Sequence, residues 1–232
     1  MWLHATLNLG AAFATQHLYR FKRIVSDRQV LARRGPSAFA RSAAAYQLLA
    51  FTARLRHPHL TAAAPHLYPP LLAAFADPAP FAQACAARAL SHLATHATAA
   101  SLYWHRDILT HAVRRVMTGC DATVFPAALP CSAALAARLD SVDGGVAHSV
   151  AALRAATGEV SRSGHDAGVR RAFLQCLAAA QAEGSGPQGI LRRVGLKAVG
   201  LFRTLLPLLI EWTAEAGPGD LQLVARVRST QV

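Results

Sequence analysis

An all-α fold, assembled from successive helical pairs, is what this sequence predicts, and three observations carry the expectation. Apolar residues recur at helical spacing along most of the chain, while strand-like alternation is scarce. Apolar types make up 53 % of the 232 residues and alanine dominates many windows, whereas aromatics stop at 7 %. That bias favours close-packed helices over sheets. Charged residues are only 16 %, so the chain can bury a core and lies outside the weakly apolar, highly charged class that stays disordered.

The first element spans residues 1–36 and reads as a helical or presequence-like segment. Its opening from Met1 to Ala14 is mostly apolar, its first acidic residue is Asp27, and Arg20, Lys22 and Arg23 lie between. An organelle presequence is acid-poor and arginine-bearing in this way. An ordinary helix would instead bury Leu3, Leu7, Phe13 and Leu18, and the composition admits both. A secretory signal fits less well, because no Lys or Arg precedes the apolar stretch.

Residues 37–232 read as a helical array. Gly35-Pro36-Ser37 stops one segment and starts another, with Ser37 able to cap a helix running to about Arg56. His57-Pro58-His59 is expected to break the chain, and a second helix is expected from about Pro65 to Phe75, with Pro69-Pro70 inside it. Asp77-Pro78-Ala79-Pro80 predicts a tight turn, after which a third helix runs from Phe81 to about Ala97. Projected at about 100° per residue, Phe81, Ala82, Cys85, Ala89 and Leu93 share one face, with Gln83 and Ala87 opposite.

The stretch Leu67 to Pro78 with the alanine-rich helix after it looks like a HEAT repeat, in which a proline-bent helix ends in an aspartate turn and a second helix returns antiparallel. The pattern recurs. Asp107 to Met117, the turn Gly119-Cys120-Asp121, and Val124 to Leu139, interrupted at Pro126 and Pro130, form the next pair. Val146 to Ala156 and Val169 to Ala182 flank a loop around Gly164; Leu196 to Ala214, Gly217-Pro218-Gly219-Asp220, and Leu221 onward come last. Second helices therefore begin near residues 81, 124, 169 and 221, a period of about 40–50 that suits HEAT and armadillo arrays. The expected architecture is an α-solenoid of HEAT/armadillo-like pairs, whose output is an extended surface for partners. Its final repeat reads as incomplete, since Gln222 to Val232 offers a weak, uncapped helix.

Chemistry-bearing motifs are sparse. Cys85, Cys120, Cys131 and Cys176 form no C-x-x-C pair, which argues against a zinc knuckle, and Cys85 reads as a buried small hydrophobe. His92 and His96 have chelating spacing on one helix. Leu93 replaces the glutamate of H-E-x-x-H, however, and no acidic residue lies between Asp77 and Asp107, so packing or interface roles outweigh a metal. The turn histidines His57 and His59 read as structural. There is no G-x-S-x-G, no Walker A, and no G-x-G-x-x-G on a strand–turn–helix; Ser185 to Gly189 is a linker after a helix. Carboxylates are scattered singly. The expectation is a non-enzyme without cofactor or metal.

Partner chemistry has more to work with. Lys and Arg number 24 against 12 Asp and Glu, a formal charge of +12, which attracts acidic partners without choosing among them. Arg114-Arg115, Arg170-Arg171, Arg192-Arg193, Lys197 and Arg203 are not interleaved with aromatics, so solvated helix faces rank above a nucleic-acid groove. Trp104 projects opposite the apolar stripe of Leu102, Leu109 and Val113, beside Ile108 and Arg115. Either its helix packs on two sides or Trp104 is an interface anchor. Leu205, Leu206, Leu208, Leu209 and Ile210 crowd one stretch beside Pro207, just after Arg192, Arg193, Lys197 and Arg203. The main partner contact is expected here, as an apolar strip bordered by positive charge that includes Leu206 and Leu209; the alternative is core under the preceding repeat. Lys197, Arg203, Pro207 and Glu211 argue against a membrane span there.

Certain strings resemble one family in their order: His57-Pro58-His59-Leu60, the HEAT-like Leu67 to Leu93, Trp104-His105-Arg106-Asp107-Ile108-Leu109, Gly119-Cys120-Asp121, and Val194-Gly195-Leu196-Lys197 through Trp212. Together, from about Ala40 to Thr213, they resemble the second Tel-two-interacting (Tti-two) family of plants and algae, a subunit family of the Triple T co-chaperone complex. The long amino-terminal helical region usual in that family has no counterpart here. The resemblance implies a non-catalytic subunit joining Tel-two and Tti-one, and working with Hsp90 and its R2TP adaptor in maturing phosphatidylinositol-3-kinase-related kinases. It implies the cytoplasm, with the nucleus as a second compartment. A generic helical-repeat adaptor is the alternative, and a basic nucleic-acid-binding solenoid ranks third.

Overall fold

The computed structural model describes residues 37–119, 121–162, 166–179, 203 and 207–212. Every regular element among them is helical, without a strand. Contacts divide the chain into two compact units, Met1–Val113 and Arg114–Val232.

In the first unit, α1 (Ala38–Arg54) starts where the Ser37 hydroxyl accepts from Ala40 N at 3.3 Å. α2 spans His57–Phe75, α3 Pro80–His96 and α4 the short turn Ala99–Tyr103; α5 (Arg106–Thr118) begins in this unit. The expected break at His57-Pro58-His59 falls instead at Leu55-Arg56, and α2 starts well before Pro65. The physical reason is that Pro58 sits in the first turn, where its missing N–H forfeits nothing. Pro65, Pro69 and Pro70 then lie within a helix that continues through them.

Both α1 and α2 pack on α3. Ala84, Ala86, Ala87 and Ala89 of α3 are buried together with Leu90 and Leu93, so α3 is enclosed on more than one side. The one-face projection is corrected on this point. Ala87, placed opposite the apolar stripe, is buried, and Phe81, placed on it, is 48 % exposed. Alanine has no side chain beyond Cβ, which lets two neighbours approach one helix closely. The bulk comes from those neighbours: Leu48 of α1 and Leu60, Leu67, Tyr68 and Leu71 of α2 are all buried. Each such large side chain contributes about 1.5–3 kcal/mol by leaving water.

The α2–α3 corner turns on Asp77. One carboxylate oxygen accepts from Ala79 N at 2.8 Å, the other from Arg41 Nε of α1 at 2.7 Å, and the Asp77 carbonyl accepts from Gln83 Nε2 at 2.7 Å. At the other end of α2, the Thr61 hydroxyl accepts from Thr98 N at 3.3 Å.

The second unit repeats the plan. α6 (Phe125–Asp143) packs against α7 (Ala147–Arg162) and α8 (Ala167–Ala179), which also meet each other. The expected interruption of α6 does not occur: Pro126 occupies the first turn, and the helix continues through Pro130. Its alanines Ala127, Ala128, Ala133, Ala134 and Ala136 are buried with Cys131. Asp121 opens α6 by accepting from Thr123 N at 2.7 Å and Val124 N at 3.3 Å. Gly144 closes it in the left-handed conformation at φ 69°, with its N–H on the Asp140 carbonyl. The buried Asp140 carboxylate then receives His148 N at 2.9 Å and Ser149 N at 3.0 Å, capping α7. Asp166 does the same for α8 through Val169 N at 3.0 Å. The helical residues 207–212 belong to this unit, with Trp212 edge-on to Phe173 at 6.0 Å between ring centroids.

Candidate partner-binding surface

Trp104 is 86 % exposed, in a protein that buries Tyr68, Phe75, Phe125 and Phe173 completely or nearly so. Its position follows from the chain on either side. The Tyr68 hydroxyl donates to the Ser101 carbonyl at 3.1 Å, and the Tyr68 ring lies 4.6 Å from that of His105. These contacts, with buried Leu102, hold the short helix α4 down. His105 N bonds the Leu102 carbonyl and Leu109 N bonds the His105 carbonyl, so the turn at Trp104-His105 is tied to the helix on either side. The Trp104 backbone itself is right-handed helical at φ −65°, ψ −19°.

Trp104 and His105 thus form the turn between α4 and α5. On α5, Ile108 and His111 are one turn apart in sequence, on the side away from Leu109 and Val113. Ile108 is 57 % exposed, and His111 and Arg115 are exposed as well. Leu109, Val113 and Val116 occupy the opposite side and are buried. The result is an exposed indole in the turn before α5 and an exposed branched aliphatic side chain in the first turn of α5. Between them in sequence, the Arg106 guanidinium sits 4.2 Å over the Tyr103 ring and 3.6 Å from the Asp107 carboxylate. Such a patch can seat an apolar side chain against a flat ring.

The remaining sequence-predicted residues distribute as follows. Arg203 is exposed. Leu209 is buried in the second unit, as is Trp212, which is the core alternative at that position rather than the contact strip. Arg192, Arg193, Lys197 and Leu206 lie outside the described residues, as do Ser185 to Gly189 and Cys120. Arg114 and Arg171 are exposed, and Arg170 is half-buried.

His92 and His96 do come together, with ring centroids 4.4 Å apart and tilted by 50°. Burial pushes the His92 imidazole below the usual histidine range, and the neighbouring His96 acts in the same direction. His92 Nε2 is buried without a hydrogen-bond partner among the described residues. Among the described residues no three His, Cys, Asp or Glu side chains group as a metal site, and no helix is long and apolar enough to cross a membrane. Burial raises the thiols of Cys85 and Cys131, and that of Cys176 to about 12, which favours the protonated form.

Two features escaped the sequence reading. Phe39 is 82 % exposed and Tyr46 is also exposed, on one side of α1, and their spacing of seven carried a signal not weighed. Asp140 and Asp166 also form corners, by capping α7 and α8, whereas Asp77 and Asp121 lie in turns that the sequence predicts. Aspartate just ahead of an apolar helical run is the available sign for Asp166. No protein-family model matches this chain, and no curated protein and no solved structure matches it.

Proposed function

We propose that this chain is a non-catalytic helical-repeat scaffold of the Tti-two type. It joins Tel-two and Tti-one and supports Hsp90- and R2TP-linked maturation of phosphatidylinositol-3-kinase-related kinases. In this role the two helical units are segments of one HEAT/armadillo-like solenoid, and the work is done by burying surface. The observation that carries the scaffold role is the exposure of Trp104, in the turn before α5, together with Ile108 on α5, whose opposite side is buried. Tryptophan is among the residues most enriched at the energetic centres of interfaces. The choice of partners is supported by the ordered resemblance of the strings between about Ala40 and Thr213.

The test is co-expression of the tagged chain with plant or algal Tel-two and Tti-one, followed by purification through this chain. Elution of all three in a stable complex is expected. If both subunits are soluble and this chain elutes alone, the Triple T assignment is refuted and the generic adaptor takes its place.

A further inference from the structure

We infer that His92 and His96, one turn apart in the last two turns of α3, bind a divalent transition-metal ion through their imidazole nitrogens. The site lies on one helix within the first unit. It goes beyond the scaffold reading and does not depend on it. The sequence alone ranks packing above a metal at these positions, and what the structure adds is the arrangement of the two rings.

Histidines four apart on a helix stand on one face, the spacing by which helical sites hold Zn²⁺. Here the ring centroids are 4.4 Å apart. An ion about 2.0–2.1 Å from a ring nitrogen lies about 3.2 Å from that ring's centroid, so two rings meeting it at a right angle have centroids about 4.5 Å apart. The pair therefore has the separation of adjacent ligands on one ion. His92 Nε2 is also buried with no hydrogen-bond partner among the described residues. Such an atom carries a desolvation penalty that a bound cation removes. Burial and the neighbouring His96 lower the proton affinity of His92, which favours the neutral ring that ligates metals. His96 is exposed, so the ion has a path from solvent. It is the last residue of α3, where the negative end of the helix macrodipole favours a cation.

The ligands set the class of ion. Two imidazoles suit Cu²⁺, Ni²⁺ and Zn²⁺, whereas Ca²⁺ and Mg²⁺ require oxygen. Among the described residues no third His, Cys, Asp or Glu joins the pair, so water fills the remaining positions. A right angle between ligands fits tetragonal Cu²⁺, which also heads the affinity order of the divalent series. Cu²⁺ is accordingly the probe.

The untagged full chain, freed of metal with a chelator, is titrated with Cu²⁺ at about pH 7.5 by calorimetry, and the loaded protein is examined by electron paramagnetic resonance. A tightest site of one ion per chain is expected, with nitrogen hyperfine structure from imidazole. His96→Gln should weaken that site at least about 10-fold, and His92→Gln should do the same. His96 is exposed, so His96→Gln should keep the wild-type helical signal. Cu²⁺ should raise the melting temperature of the wild type and leave that of His96→Gln unmoved. The double variant His57→Gln, His59→Gln, altered in the first turn of α2, should bind as the wild type does. Absence of Cu²⁺ binding, an undiminished site in His96→Gln, or loss of the site in the His57, His59 variant overturns the inference.

Discussion

Removing the Asp77 carboxylate should open the α2–α3 corner, and the structure sets the size of the effect. Its side chain is 7 % exposed, while that of its partner Arg41 is 23 % exposed, at 2.7 Å. An exposed ion pair contributes up to about 1 kcal/mol, and breaking a fully buried one costs about 3–5 kcal/mol. This pair lies between those limits, so losing the charge should cost about 2 kcal/mol. The second oxygen caps Ala79 N at 2.8 Å, a bond of the kind that contributes about 1 kcal/mol. Asp77→Asn keeps an acceptor for Ala79 N but loses the charge, so it should destabilise by about 2 kcal/mol; Asp77→Ala loses both and should reach about 3 kcal/mol. With a urea slope of about 2 kcal/mol/M, the midpoints fall by about 1 M and 1.5 M respectively. Urea denaturation followed by the helical circular dichroism signal measures both. A loss below about 0.5 kcal/mol for Asp77→Ala would refute the claim that this carboxylate organises the corner. Equal losses for the two variants would assign the whole effect to the ion pair.

Acidification should destabilise the first unit through His92, whose proton affinity is lowered in the folded state by burial and by His96. The unfolded chain then binds the proton more readily. The stabilisation is complete above the ordinary histidine range near pH 6.5 and is lost as pH falls through it toward the lower folded value. Urea midpoints at about pH 7.5 and 5.5 should differ less in His92→Gln than in the wild type, and an identical difference would refute the assignment. Cys131, whose thiol is raised by complete burial, should resist a thiol-alkylating reagent until urea unfolds the chain; mass spectrometry reads this, and rapid native labelling would contradict it. Trp212→Ala should cost about 3 kcal/mol by removing a buried ring packed edge-on to Phe173, and Leu209→Asp should lower the melting temperature as well. Full stability in either variant would show that residues 207–212 are not core.

What the sequence made legible was periodicity. The recurrence of apolar residues and the turn at Asp77-Pro78 predicted α3 and the pairing of α2 with α3, and Ser37 marked the start of α1. The details that failed share one cause, the reading of proline and alanine by their local habits. Proline reads as a breaker, yet Pro58, Pro80 and Pro126 sit in first turns where no N–H is needed. Alanine reads as neutral filler, yet in α3 and α6 its lack of bulk is what allows burial on several sides. A single-face projection cannot register that, because it presumes one neighbour. Leu209 was ambiguous for a similar reason: crowded leucines have the same pattern whether or not another helix covers them, and only the packing decides.

Trp104 marks the boundary of what local pattern can deliver. Its projection opposite Leu102, Leu109 and Val113 was visible in the sequence, but two-sided packing and exposure predict the same pattern. The structure separates them at this residue, with Trp104 86 % exposed and Leu102 and Leu109 buried. That exposure is not a shortage of places to bury an aromatic, since Tyr68 packs against the ring of His105 next to Trp104 and is itself buried. The same short stretch thus buries one large ring and presents another, forgoing about 2–3 kcal/mol of burial at Trp104. Leaving that surface in water is a standing cost to the isolated chain, and covering it by a partner recovers the loss.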